Sequence, residues 1–148
     1  MIQVMVVRDP ADKDKALAVR RKVFIEEQEV PEHLELDEWD EDPRTVHIVV
    51  IESGSPVGAA RMIPYGEKTM KIGRMAVLPS HRRRGLGSQV IGILEEIAER
   101  EGQRTIVLDA QVHARGFYER LGYEAEGEEF MDAGIPHIRM RKELRAQR

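Results

Sequence analysis

The chain contains no cysteine. That excludes disulfides, cysteine–zinc sites and a covalent intermediate carried on a thiol. Long apolar runs are missing as well. The opening Met1-Ile2-Gln3-Val4-Met5-Val6-Val7 is apolar, but Arg8 and Asp9 follow at once. It is too short for a signal h-region and has no basic flank before it. No stretch approaches the roughly 20 apolar residues of a membrane span. An excess of positive charge is lacking too. The 148 residues carry a formal net charge of -4, which argues against a nucleic-acid binder or a membrane-surface protein. Repeats, linkers and low-complexity segments are absent. These absences lead to the expectation of a soluble, cytoplasmic protein with one domain over residues 1–148. A domain of this size buries roughly 68–70% of its unfolded surface, enough for a real core.

What is present centres on Arg74-Met75-Ala76-Val77-Leu78-Pro79-Ser80-His81-Arg82-Arg83-Arg84-Gly85-Leu86-Gly87-Ser88. A strand-like run ends at Pro79, a basic turn follows, and a long amphipathic helical pattern begins after two closely spaced glycines. A strand, a glycine-bearing turn and a helix N-terminus together form an anion site, because free N–H groups point outward and the helix dipole favours negative charge. Glycine lets the backbone approach a ligand with no Cβ in the way. Three arginines stand ready to neutralise a diphosphate. The turn is no Walker P-loop, since Gly-Lys-Ser/Thr is missing, and no Rossmann fingerprint, since position 90 is Val.

Around this centre the chain reads as alternating elements. Residues 2–7 are strand-like. Asp9-Pro10 begins a helix in which Ala16, Leu17, Val19, Val23 and Phe24 recur near a 3.6-residue period, to about Gln28. Residues 45–52 and 57–63, joined by Ser53-Gly54-Ser55-Pro56, predict an antiparallel hairpin, and 70–78 a third strand. Gly85 to Gly102 is the clearest helix, with Val90, Leu94, Ile97 and Ala98 on one face and Glu95, Glu96, Glu99 and Arg100 facing water. A strand at 105–108 closes a parallel βαβ unit. A helix at 113–121 and strands at 123–130 and 136–142 complete the chain, and the charged tail from Lys142 is expected to fray. Residues 32–42 hold Glu32, Glu35, Asp37, Glu38, Asp40, Glu41 and Asp42 with no Lys or Arg. They read either as a solvated loop pinned by Leu34, Leu36 and Trp39, or as a lip that attracts a cationic substrate.

Arg82-x-x-Gly85-x-Gly87 resembles the Arg/Gln-x-x-Gly-x-Gly/Ala motif of the GNAT superfamily of acyl-CoA N-acyltransferases. Ala114-Arg115-Gly116-Phe117-Tyr118-Glu119-Arg120-Leu121-Gly122-Tyr123 is similar to a second signature of that family. Arg20-x-x-Val23-Phe24 with Glu27-Gln28, and Gly134-Ile135-Pro136-His137, resemble the small YjcF-like bacterial branch. The resemblance covers nearly the whole chain. It implies an α/β fold of α+β type: a mixed, mostly antiparallel sheet of about seven strands with about four helices. It also implies acetyl-CoA as cosubstrate, no metal, and an amine acceptor, either a small molecule or a protein amine. Arg82, Arg83, Arg84, Gly85, Leu86, Gly87 and Ser88 would meet the pyrophosphate. Met75, Ala76 and Val77 would pair with pantetheine, and the Val77 N–H would steady the oxyanion. Gln111, where many relatives have Asn, and Phe117 would line the pantetheine arm. Tyr118 would protonate the leaving thiolate.

The acceptor side is less determined. Phe24, Glu27, Trp39 and His137 are candidate substrate contacts, and Glu27, His47 and His137 are candidates for the general base. His33, His81 and His113 show no metal-ligand spacing. Two other functions stay open: a non-catalytic acyl-CoA-binding or sensor module on the same fold, and a nucleic-acid binder using Arg82 to Arg84. A monomer and a homodimer paired through edge strands are both compatible with the sequence.

Overall fold

The computed structural model describes residues 1–145. Strand β1 (Ile2–Val6) leads to helix α1 (Pro10–Arg20), which widens into a π-helical stretch over Arg21–Glu27. A one-turn helix α2 (Glu32–Glu35) and a 3-10 turn (Glu38–Glu41) follow. Then come β2 (Val46–Glu52), β3 (Ser55–Gly66), β4 (Thr69–Val77), α3 (Leu86–Arg100), β5 (Thr105–Gln111), α4 (Arg115–Arg120), β6 (Glu124–Asp132) and β7 (Ile135–Glu143). Asp9 caps α1 by accepting from the Asp12 N–H at 2.8 Å, and Pro10 fills the first helical position.

The seven strands form one sheet in the order β1-β2-β3-β4-β5-β7-β6. Every pairing is antiparallel except β4 with β5. Alternation divides the core between the two faces. Ile48, Val50, Met62, Ile72, Ile106 and Leu108 pack against Leu86, Val90 and Leu94 of α3. On the other face, Val49, Ile51, Ala59 and Ala76 pack against Ala16, Val19 and Val23. Among the described residues, no helix is long and apolar enough to cross a membrane.

Two features of β4 position the site. Its pairing with β5 runs from Thr69↔Thr105 to Ile72↔Leu108 and stops there. Beyond that point the two strands part. On its other edge β4 carries a bulge: Ala59 faces Ala76 and Arg61 faces Gly73, so Arg74 and Met75 together oppose Ala60. Arg74 takes a left-handed φ of 53° there, a conformation uncommon for a residue with a Cβ.

The acidic segment is only partly solvated: Glu32, Glu38 and Glu41 face water, while Glu35, Asp37 and Asp40 turn onto arginines instead of presenting a free acidic lip. Arg20 and Glu35 are 1% and 2% exposed, with Arg20 Nε donating to Glu35 Oε1 at 2.7 Å and Nη1 to Asp40 Oδ1 at 2.6 Å. Arg61 Nη1 donates to Asp37 Oδ1 at 2.6 Å and to Asp40 Oδ1 at 2.9 Å. Arg74 Nε donates to the Glu35 carbonyl at 2.9 Å. Leu34, expected to pin the loop, is 49% exposed. Two further expectations change. Glu95 does not face water: it accepts from the Tyr123 hydroxyl at 2.8 Å and from Lys142 Nζ at 3.0 Å. Lys142 therefore belongs to an ordered strand β7 instead of a frayed tail, and residues 146–148 of that expected tail lie outside the described residues.

Removing one partner of a buried charge pair strands the others. Arg20→Met is therefore expected to cost about 3–5 kcal/mol in urea unfolding, leaving the buried Glu35 carboxylate without a hydrogen-bond donor and Asp40 with Arg61 as its remaining partner. Burial pushes the Asp40 carboxyl up, but hydrogen bonds from Arg20 outweigh it and hold the group well below the ordinary range. Burial is likewise outweighed at Asp37 by Arg61. Groups depressed in the native state stabilise above their unfolded pKa and lose that contribution as pH falls. Stability should thus be level near neutrality and decline below about pH 4, and the acid-side slope should shrink in Asp40→Asn.

Candidate active site

The parting of β4 and β5 opens a cleft of about 900 Å³. Gly73 to Val77 form one lip, Asp109 and Gln111 the other, with Phe117 and Tyr118 of α4 also lining it. The π-helical extension of α1 brings Phe24, Glu27 and Gln28 over the opening, and the β6–β7 turn brings Asp132, Ile135 and His137.

At one end of the cleft stands the basic turn. Gly85, at φ 77°, is the N-cap of α3 and supplies no side-chain cap. The first helical bond runs from the Gln89 N–H to the Gly85 carbonyl at 3.2 Å, so the Leu86, Gly87 and Ser88 N–H groups have no intrahelical acceptor. A Cβ on Gly87 would lie 3.0 Å from Phe117 Cζ. The turn thus has the bare backbone and free donors that a diphosphate needs. The three arginines, in contrast, do not act together. Arg82 donates Nε to the Val77 carbonyl at 2.8 Å, and its two terminal nitrogens to Glu27 at 2.8 and 2.6 Å. Arg84 lies 3.9 Å from Glu52. Among the described residues Arg83 has no ion-pair partner, and it holds a left-handed φ of 65°. Neither Arg84 nor Ser88 lines the cleft.

Along the lip, the Leu78 N–H donates to the Val57 carbonyl at 2.9 Å. Val57 and Leu78 are therefore a hydrogen-bonded pair, and the next pair, Gly58↔Val77, is not. The Val77 N–H accordingly points away from β3, toward the gap. Ala76 is buried against α1, whereas Met75 is half-buried and lines the gap. On the opposite lip, Gln111 Nε2 donates to Gln28 Oε1 at 3.0 Å and Gln111 Oε1 accepts from His113 Nε2 at 2.7 Å. Tyr118 is 9% exposed, with ring centroids 5.0 Å from Phe117 and 6.0 Å from Tyr123 in edge-to-face contacts. Burial pushes its phenol up to about 12, so it is protonated at neutral pH.

The three candidate bases separate clearly. The Arg82 hydrogen bond holds the Glu27 carboxyl below its usual range, which leaves it a poor proton acceptor. His47 is buried beneath the Asp40 carbonyl, 3.3 Å from Nε2, and does not line the cleft. Burial pushes its imidazole down. His137 does line the cleft, and its Nδ1 is 2.7 Å from the Ile135 carbonyl. A carbonyl only accepts, so Nδ1 carries the proton and Nε2 keeps a lone pair. Of the candidate substrate contacts, Phe24, Glu27 and His137 meet in the cleft; Trp39 lies outside it, under Arg44 at 5.7 Å. Arg74, Lys71 and Asp109 also line the cleft but escaped the sequence reading. The available signal was charge set inside two largely apolar strands, Lys71 and Arg74 in β4 and Asp109 in β5.

A mixed seven-stranded sheet split at its one parallel pair, with a helix N-terminus at the end of the split, is the architecture this chain shares with solved acyl-CoA N-acyltransferases. Residues 8–144 match the family model of the acetyltransferase (GNAT) domain, and the chain belongs to that family, whose chemistry is acyl transfer from acetyl-CoA. It is 43% identical to the uncharacterized protein YyaT of Bacillus subtilis (strain 168) over 135 residues, 90% of each chain. It is 38% identical to the uncharacterized N-acetyltransferase YjcF of the same organism over 146 residues, 96% of this chain and 100% of that one. The crystal structure of an acyl-CoA N-acyltransferase from Pseudomonas aeruginosa is 28% identical, with a TM-score of 0.86 over 96% of this chain and 99% of that one.

Gly87→Trp fills the space between the turn and Phe117. Calorimetric titration with acetyl-CoA should show affinity reduced by about 100-fold or more, equivalent to roughly 2.7 kcal/mol, with a short DNA duplex giving no heat for either form.

Proposed function

We propose that the chain acts as a single cytoplasmic N-acetyltransferase domain that moves an acetyl group from acetyl-CoA to a primary amine by direct attack. The observation that carries this reading is the coincidence, in one cleft, of a free Val77 N–H, a buried protonated Tyr118 and the uncapped N-terminus of α3. Acetyl-CoA supplies the acyl group as a thioester. The N–H groups of Leu86 and Gly87 hold its diphosphate, with Arg83 adding charge. The Val77 N–H stabilises negative charge on the carbonyl oxygen. His137, through Nε2, takes the proton of the incoming ammonium. Tyr118 gives its proton to the departing sulfur. Its high pKa does not obstruct this, because the apolar wall that raises the phenol also raises a thiolate leaving beside it.

Tyr118→Phe removes the proton and keeps the ring. In a thiol-release assay over an amine library, kcat should fall about 10²–10³-fold, while calorimetric acetyl-CoA affinity stays within threefold. Tight acetyl-CoA binding with no turnover in either form would instead indicate an acyl-CoA sensor. His137→Gln should lower kcat/KM at neutral pH and recover partly as pH rises and the free amine fraction grows.

A further inference from the structure

The floor of the cleft carries charge that acyl transfer itself does not use. Where β4 and β5 are still paired, Ile72 and Leu108 point into the core against α3. Their neighbours Lys71 and Asp109 therefore point to the opposite face, and both line the cleft. Arg139 of β7 stands directly across from Asp109. Asp109 Oδ1 accepts from Arg139 Nε at 2.5 Å, and Oδ2 lies 2.9 Å from Lys71 Nζ. Tyr65, 52% exposed, lies 5.5 Å from the Lys71 ammonium and 5.0 Å from the Arg139 guanidinium, and its hydroxyl accepts from Arg139 Nη1 at 3.1 Å.

Two cations thus share one carboxylate, and the cluster keeps one net positive charge. Burial pushes Asp109 up, but the hydrogen bonds from Arg139 and Lys71 outweigh it, so the carboxylate neither takes a proton nor offers itself to a cation. Of the other carboxylates that line the cleft, Glu27 and Glu35 are taken by Arg82 and Arg20, and Asp132 lies at the end of β6. Lys71 has three N–H donors and remains partly open to the cleft, 28% exposed. This is a place for an anion.

We infer that Lys71, backed by Arg139 and Tyr65 just outside the cleft lining, forms an acceptor subsite for a carboxylate, so that the acceptor is an amine with a carboxylate at its far end. The inference rests on the N-acetyltransferase reading. Continuing the register past Ile72↔Leu108 sets Asp109 level with Gly73, two to four residues from the Met75–Val77 lip. At one strand rise per residue that is about 7–13 Å. That range excludes an α-amine beside its own carboxylate and calls for an amine carried on a chain, with the side-chain amine of lysine matching its Met75 end.

The test is steady-state thiol release at saturating acetyl-CoA, with free lysine against cadaverine, which keeps the alkylamine and lacks the carboxylate. The wild type should favour lysine in kcat/KM by about 30-fold or more. In Lys71→Gln and Arg139→Gln that preference should drop at least tenfold, through KM, or about 1.4 kcal/mol each, whereas Arg139→Lys should retain most of it. Equal use of both amines, a preference for cadaverine, or an unchanged ratio in Lys71→Gln would overturn the subsite. So would turnover of neither amine by a wild type that binds acetyl-CoA in the calorimeter. Absence of acetyl-CoA binding would overturn the N-acetyltransferase reading itself, and the subsite with it.

Discussion

The structure depends on a pairing that stops. Strands β4 and β5 are parallel neighbours for four residue pairs and then part, in the middle of a sheet whose other neighbours resume their pairing after each irregularity. Unpaired backbone donors in a sheet interior are costly unless something meets them. The chain meets one acceptor itself, with Arg82 Nε on the Val77 carbonyl, and leaves the Val77 N–H facing the gap. The bulge at Arg74 turns β4 at this level, while the strand keeps its contact with β3 through Ala76 and Val77. Both elements that carry the candidate chemistry begin where the parted strands end. The turn into α3 follows β4, and α4 with Phe117 and Tyr118 follows β5. One broken ladder therefore places the donor turn, the free N–H and the phenol around the same space.

The second wall is held by charge. Arg20, Arg61 and Arg74 meet Glu35, Asp37 and Asp40, largely out of water. Such a cluster is weak evidence of stability, since well-packed apolar side chains often do as well. What it does achieve is placement. Arg74 is both the bulged residue of β4 and the donor to the Glu35 and Leu34 carbonyls. The segment that roofs the acceptor side is thereby fixed to the strand that forms the donor lip, and a shift in one must move the other.

The legible parts of this protein were the local ones. The hairpins, the helices and the turn from Arg82 to Ser88 follow from glycine, proline and periodicity over short stretches, and each of the two family signatures lies in one continuous stretch of sequence. The charge cluster was not legible because its partners are 15 to 40 residues apart in sequence, and because buried carboxylates look like surface ones in a composition count. Glu95 was misjudged for the same reason: its helical position faces water until Tyr123 and Lys142 arrive from elsewhere. Trp39 is the sole tryptophan, yet rarity says nothing about direction, and it packs under Arg44.

The fate of the three arginines bears on what the turn recognises. In sequence they form one basic run, equally suited to a diphosphate or to a nucleic-acid backbone. In the fold they diverge: Arg82 is neutralised by Glu27, Arg84 leans toward Glu52, and only Arg83 stands without a counter-charge among the described residues. A phosphate backbone is bound by rows of free cationic side chains that displace counterions, and no such row exists here. What remains is concentrated at one point: three free N–H groups and the positive end of a 15-residue helix. That arrangement suits a compact, doubly charged group held close to bare backbone. The Glu27–Arg82 pair then acts on the shape of the site more than on its charge, since it ties the π-helical roof to the turn and Arg82 ties the turn to Val77.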